Sequence, residues 1–278
     1  MSSATRDEPT ARNERGRLHC LRKMARVCVG VHHLLAIGLA VLLLMFLVPA
    51  VVGEEQVGPR PKVVAILPGH GGRDSGAVHR DSDGRVDLVE KEVNLAIARR
   101  LAARLEAAGY VAVLTRDGDY SHTPTPGNAE QEVQAHLDIA NRAGADVLVA
   151  IHNNGYSDPE LSGTTTYYCP KRTFAEKSRR LARAIHRHIL SGLLDVAGYR
   201  ARDHGVRTAD YKPYGCLYTL GDDRGGTFRP SAMPGVVVEA LFVTNDFEAW
   251  ILSQGGGQDL IAAAIFDGIE EYFAVEEN

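Results

Sequence analysis

The stretch Val147-Leu148-Val149-Ala150-Ile151-His152-Asn153-Asn154-Gly155 sets the fold. Its first five residues are all apolar and include β-branched Val147, Val149 and Ile151. A short run with no polar face suits a strand buried on both sides, as in a parallel sheet covered by helices. The run then ends abruptly in an imidazole and two amides. In open α/β sheets, ligand sites form beyond the carboxyl ends of strands, so this end is where chemistry is expected.

Two other runs have the same design. Val63-Val64-Ala65-Ile66-Leu67 leads into Pro68-Gly69-His70-Gly71-Gly72, and Val236-Val237-Val238-Glu239-Ala240 carries Glu239 where an apolar residue is expected. Residues 92–108 place Val93, Ile97, Leu101 and Leu105 four apart on one stripe, with Gly109 beyond as a stop signal. That spacing predicts an amphipathic helix. With strands at 63–67 and 111–115 it makes a βαβ-type unit. A polar loop over 117–128 precedes a helix over 130–143, and residues 164–168 are strongly β-prone. Leu181, Ile185 and Ile189 mark a helix over 174–190, whose Arg179, Arg180, Arg183, His186, Arg187 and His188 form a basic face that reads first as a solvated surface. A last helix covers 260–273. Residues 195–234 are the least regular stretch, and loops of such length tend to border sites. The predicted fold is α/β: a mixed, mostly parallel twisted sheet flanked by helices on both faces.

Net charge excludes one class of function. The 278 residues carry a net charge of −4, but residues 1–33 hold seven Lys/Arg against three Asp/Glu, leaving 24 against 32 in the rest. A body that acidic offers no footprint for nucleic acid. The basic start precedes an apolar run over residues 34–52, long enough at about 1.5 Å per residue to span a bilayer. Residues 1–53 therefore read as a cytoplasmic basic segment plus a signal peptide or membrane anchor, with Val48-Pro49-Ala50 a candidate cleavage point. Residues 54–62, with Pro59 and Pro61, read as a short linker, and 63–278 as one catalytic domain placed outside the cytoplasm. Cys169 and Cys216 are the two cysteines of that domain. In an oxidising compartment they are a candidate disulfide, and two buried free thiols are the alternative.

His70, His152 and Glu90 offer two imidazoles and a carboxylate, a common protein shell for catalytic zinc that leaves the fourth position to water. A further carboxylate must then take and return a proton, and Glu239 is the candidate. Each residue also has a plainer reading. His70 fits a structural turn histidine, Glu90 a charge suited to a helix amino end, and Glu239 an exposed residue of an edge strand. No H-E-x-x-H or G-x-S-x-G occurs, so neither a one-helix zinc site nor a nucleophile elbow is present. Asp81-Ser82-Asp83-Gly84 lacks the remaining ligands of an EF-hand and reads as a polar turn.

From about Lys62 onward the chain resembles the zinc-dependent N-acetylmuramoyl-L-alanine amidases. Four stretches carry the resemblance, in order: 66–72, with His70; 90–96, with Glu90; 139–154, with His152; and 238–245, with Glu239. The resemblance implies a fold like that of zinc exopeptidases and one Zn²⁺ per chain held by His70, Glu90 and His152. It also implies general acid and base work by Glu239, and peptidoglycan or muropeptides as substrate. Three departures stand out. Leu67 replaces a usual Asp, a partner that would orient a ligand. His136 stands where Arg is common, and Leu241 replaces a usual Gly.

Asn154 and, in the irregular stretch, Arg202, His204 and Arg207 are candidate contacts to substrate, the three basic residues to an anionic stem peptide. The amidase resemblance takes up nearly the whole domain and no internal repeat is visible, so access to substrate is expected to depend on the domain, the membrane tether or a partner protein. Two other functions fit the same residues: a catalytically weak peptidoglycan-binding or scaffold domain, and a zinc hydrolase of another N-acyl amino acid or peptide.

Overall fold

Strand β1 (Val63–Pro68) is hydrogen-bonded on both sides, and the sheet grows outward from it. The computed structural model describes residues 60–124, 129–211, 215–221 and 228–276. The basic and apolar amino-terminal segment and residues 54–59 of the expected linker lie outside the described residues. Among the described residues no helix is long and apolar enough to cross a membrane.

Beside β1 stand β4 (Val111–Leu114) on one flank and β5 (Val147–Asn154) on the other, both parallel to it. β10 (Gly235–Phe242) continues the parallel set next to β5. β6 (Thr164–Tyr168) then runs antiparallel to β10, and β7 (Asp203–Thr208) lies parallel to β6 at the edge, giving the order β4-β1-β5-β10-β6-β7. A hairpin of β2 (Val78–Arg80) and β3 (Val86–Val89) and a two-residue pair, β8 (Asp210–Tyr211) with β9 (Gly215–Cys216), stand apart from this sheet.

The two faces are covered unequally. Val64, Ile66, Val149, Ile151, Val236 and Val238 pack against α1 (Glu90–Ala107), α3 (Ala175–Ala197), α4 (Asp246–Ser253) and α5 (Gly255–Glu276). Ala65, Leu67, Leu148, Ala150 and Val237 point the other way, onto α2 (Ala129–Arg142) and onto Ala209, Cys216, Leu220, Phe228 and Met233. Alternation along each strand produces this split, because successive side chains leave opposite faces. Cys169 and Cys216 form a disulfide in the thinner layer, with Cα atoms 5.7 Å apart, so the paired alternative holds.

Several elements exceed their expected bounds. α3 runs seven residues beyond 190 because Leu193, four after Ile189, continues the buried stripe, and Gly198 closes the helix in the left-handed conformation. The stretch 195–234 is not all loop: it supplies β7, which completes the sheet edge. The turn at 81–84 belongs to the β2–β3 hairpin, where Asp81 accepts from the backbone N–H groups of Asp83 and Arg85. The end of the expected linker is docked, with Arg60 paired to Asp146 at 2.7 Å. The basic face of α3 is largely paired with carboxylates, Arg180 with Glu276 and both Arg187 and His188 with Glu271.

Candidate metal and catalytic site

At the carboxyl end of β1 the chain turns through Gly69 and His70, and Gly69 N–H donates to the carbonyl of Ile151 on β5. His70 has φ of 62°, the only non-glycine residue with positive φ among those described. Such backbone is costly for a residue with a side chain and collects at functional sites. A Cβ at Gly69 would overlap the imidazole of His152, so only glycine lets β1 and that ring approach.

Glu90 is the first residue of α1 and its carboxylate is buried. One oxygen, Oε1, lies 3.1 Å from His70 Nε2 and 3.3 Å from His152 Nδ1. The two imidazole rings meet edge to face, with centroids 4.9 Å apart. His70, Glu90 and His152 thus converge from three segments, with one ligand atom of each within 4.8 Å of the others.

Each member is held by groups that are not themselves ligands. His70 Nδ1 is 2.8 Å from Asp74 Oδ2, and Asp74 Oδ1 accepts from Gly76 N–H. Glu90 Oε2 accepts from Ala77 N–H, and Oε1 accepts from Asn153 N–H and from Asn94 Nδ2. Asn153 Nδ2 donates to Asn94 Oδ1, joining α1 to β5. Buried Arg116 donates to the carbonyls of Pro68, Gly69 and Lys91, clamping the turn that presents His70.

Of these partners the sequence reading missed Asp74, Asn94, Asn153 and Arg116. Asn94 had a usable signal, lying four residues after Glu90 on the same helical face. Asp74 occupies the orienting role expected of an aspartate at position 67. Leu67 instead fills the thinner core layer.

Glu239 is the register partner of His152 across β10 and β5, so both residues leave the sheet on the same face. The strand bulges between Glu239 and Phe242. As a result Ala240 and Leu241, adjacent in sequence, both enter the larger core, which absorbs the bulk of leucine at 241. Buried Glu248 on α4 fixes the bulge by accepting from Phe242 N–H, Gly163 N–H and Tyr199 Oη–H.

Electrostatics separate the two carboxylates. Burial alone would raise Glu90, but its hydrogen bonds to His152 and His70 and their charges hold it well below the ordinary carboxylate range. Burial also disfavours a charged His70, yet Glu90 and Asp74 outweigh it and raise this imidazole to about 9. Glu239 is pushed up to about 7, chiefly by burial. One carboxylate is thus kept ionised beside the imidazoles and the other is poised near neutrality, a division of roles typical of acid–base sites.

The four substrate candidates are not gathered as tightly. Asn154 lies two residues past His152 on β5, and its Nδ2 is buried without a hydrogen-bond partner. Arg202 is exposed just before β7, while His204 and Arg207 lie on that strand, two strands from β10. The His204 ring lies 6.1 Å from that of Phe242 and its Nε2 is 2.8 Å from the carbonyl of Ser162; Arg207 donates to the His204 carbonyl.

The chain is similar to proteins already known. The amidase LytC of Bacillus subtilis is 34% identical over 213 residues, which cover 76% of this chain but only 36% of LytC. The amidase AmiA of Salmonella typhimurium is 28% identical over 298 residues, covering 92% of this chain and 96% of AmiA. Among solved structures, the amidase AmiC2 of Nostoc punctiforme superposes with a TM-score of 0.60 at 32% identity, covering 78% of this chain and 99% of that one. The family model described as N-acetylmuramoyl-L-alanine amidase matches residues 64–271. Because that match runs from β1 into α5 and takes in the His70–Glu90–His152 cluster together with Glu239, the chain belongs to the N-acetylmuramoyl-L-alanine amidase family.

Proposed function

We propose that this protein hydrolyses the amide between N-acetylmuramic acid and L-alanine in peptidoglycan or its fragments, with His70, Glu90 and His152 holding one zinc ion and Glu239 acting as general base and acid. The observation that carries this reading is the convergence of two imidazole nitrogens and a carboxylate oxygen beside Glu239. Their chemistry fits the ion: neutral nitrogen and anionic oxygen donors in a three-residue set are those of catalytic zinc sites. Asp74 and the Asn94–Asn153 pair supply the outer hydrogen bonds that such ligands require. Zinc supplies Lewis acidity, lowering the pKa of water toward neutrality and polarising a carbonyl.

Glu239 accepts the proton of the attacking water on a carboxylate oxygen and delivers one to the departing alanine nitrogen. A carboxyl near 7 is suited to both halves of that exchange at neutral pH. The unpartnered Nδ2 of Asn154 offers a hydrogen bond to substrate, since a buried donor left unpaired is costly until something accepts from it. Arg202, His204 and Arg207 line the edge on which acidic stem-peptide groups would lie.

The reaction takes place outside the cytoplasm, with residues 34–52 as cleaved signal or anchor. The Cys169–Cys216 bond supports this placement, because such bonds persist in oxidising compartments. The test is zinc content together with release of stem peptides beginning in L-alanine from purified peptidoglycan by the full chain. Release that disappears in Glu239→Ala while zinc remains is the expected result. Zinc-loaded protein that binds peptidoglycan but releases nothing would replace the amidase with a binding domain.

A further inference from the structure

Outside this site, a second group of two histidines and a glutamate comes together. His122 lies in the loop after β4, while Glu132 and His136 sit one turn apart on α2. One ligand atom of each lies within 4.8 Å of the others. The His122 and His136 rings meet edge to face at 4.6 Å, and His136 Nε2 is 3.7 Å from Glu132 Oε1.

The hydrogen bonds around the group are those that orient metal ligands. His122 Nε2 is 2.8 Å from the carbonyl oxygen of Thr115. A carbonyl only accepts, so the ring proton sits on Nε2 and the lone pair on Nδ1. His136 Nδ1 is 2.7 Å from the hydroxyl of the same buried threonine, which leaves Nε2 facing Glu132. One residue thus directs both imidazoles, as outer partners do in metal centres. Glu132 is fixed as well: Oε1 accepts from His122 N–H, and Oε2 from the N–H and hydroxyl of Thr123. A carboxylate oxygen has two lone pairs, so Oε1, which accepts one hydrogen bond, keeps acceptor capacity and is the ligand atom.

We propose that His122, Glu132 and His136 form a second metal site, for a divalent transition ion of the zinc class, that fastens the loop after β4 to α2. Imidazole with carboxylate suits zinc, cobalt or nickel rather than calcium or magnesium, which favour oxygen donors alone. His136 completes the set at the position where the amidase resemblance leads one to expect arginine, so the site is a property of this chain rather than of the resemblance. Its place gives it a role. The tethered loop also carries Asp119 and Ser121, which hydrogen-bond Gly72 N–H and the Gly71 carbonyl, and Arg116 beside Thr115 clamps the same turn. An ion here braces the outer wall of the turn that presents His70.

The inference does not depend on the amidase reading, and metal stoichiometry separates the two. The full chain is titrated with zinc alone, and bound metal is counted after desalting in wild type, His152→Ala, His122→Gln and the double variant. Two three-ligand sites predict about two, one, one and zero zinc per chain. His122 is partly exposed, so His122→Gln tests the site without opening the core, and it is expected to keep its fold by circular dichroism. Cobalt as a second probe should give two absorption components in wild type and lose one in each single variant. Zinc content that His122→Gln leaves unchanged, in wild type or in the His152→Ala background, overturns the proposal, whereas zinc that His152→Ala leaves unchanged speaks against the first site alone.

Discussion

Asp74 Oδ2 lies 2.8 Å from Nδ1 of His70, on the side of the ring opposite the nitrogen that meets Glu90. The two residues are four apart in one tight turn, so the carboxylate that orients the first ligand is supplied locally. It takes the place of the aspartate absent at Leu67. Outer carboxylates fix the tautomer of a ligating histidine and raise its basicity.

Asp74→Asn is therefore expected to weaken zinc binding by about 10- to 100-fold while leaving the fold intact. Competition with a chelator measures it. Unchanged affinity would mean that the backbone of the turn alone positions the ring.

Gly69→Ala should be more damaging than its size suggests. The added methyl would overlap the His152 ring, and overpacking of this kind costs about 1–3 kcal/mol. Relief by rotation of His152 would remove a ligand, so zinc content and hydrolysis should fall together. A variant with full zinc and wild-type turnover would show that the ring has room to move.

The metal-free protein should lose stability as pH rises from about 6.5 to about 9; below that, burial lowers His136 to about 3, and its loss of a proton on folding offsets the uptake by Glu239. Glu239 moves from an ordinary 4.5 up to about 7, and His70 from 6.5 up to about 9. At these two groups the folded state holds protons that the unfolded state has released, so their contribution to unfolding free energy falls as pH rises through each folded value. Bound zinc displaces these protons and should flatten or reverse the slope. Thermal melts across pH, with and without zinc, check this; Glu239→Gln should turn the flat stretch between about pH 5 and 6.5 into a rise. A metal-free melting temperature that climbs between pH 6.5 and 9 would contradict the His70 shift.

Reducing the Cys169–Cys216 bond should destabilise the thinner layer. The bond closes a separation of 47 residues, for which chain entropy allows about 4 kcal/mol. Cys169→Ser with Cys216→Ser is expected to lower the melting temperature, with a smaller effect on zinc binding at His70, Glu90 and His152, because those residues lie outside the thinner layer's core. An equal loss of zinc would show that the thinner layer and the site unfold as one unit.

The buried strands, the helices between them and the candidate residues of the site were legible in local patterns along the chain. The apolar runs at 63–67, 147–151 and 236–240, the stripe through Val93, Ile97, Leu101 and Leu105, and the polar breaks at His70, His152 and Glu239 are all local signals, and burial alternates along a chain with the period of its backbone. The short β2–β3 hairpin and the edge strand β7 escaped because half-exposed strands have no such contrast. Which strands are neighbours emerges in the folded molecule, and with it the register that sets Glu239 opposite His152, the bulge that carries Leu241 into the core, and the pairing of Cys169 with Cys216. Those are contacts between segments far apart in the chain. They are fixed by packing two faces of one sheet at once, a constraint that no local window of sequence contains.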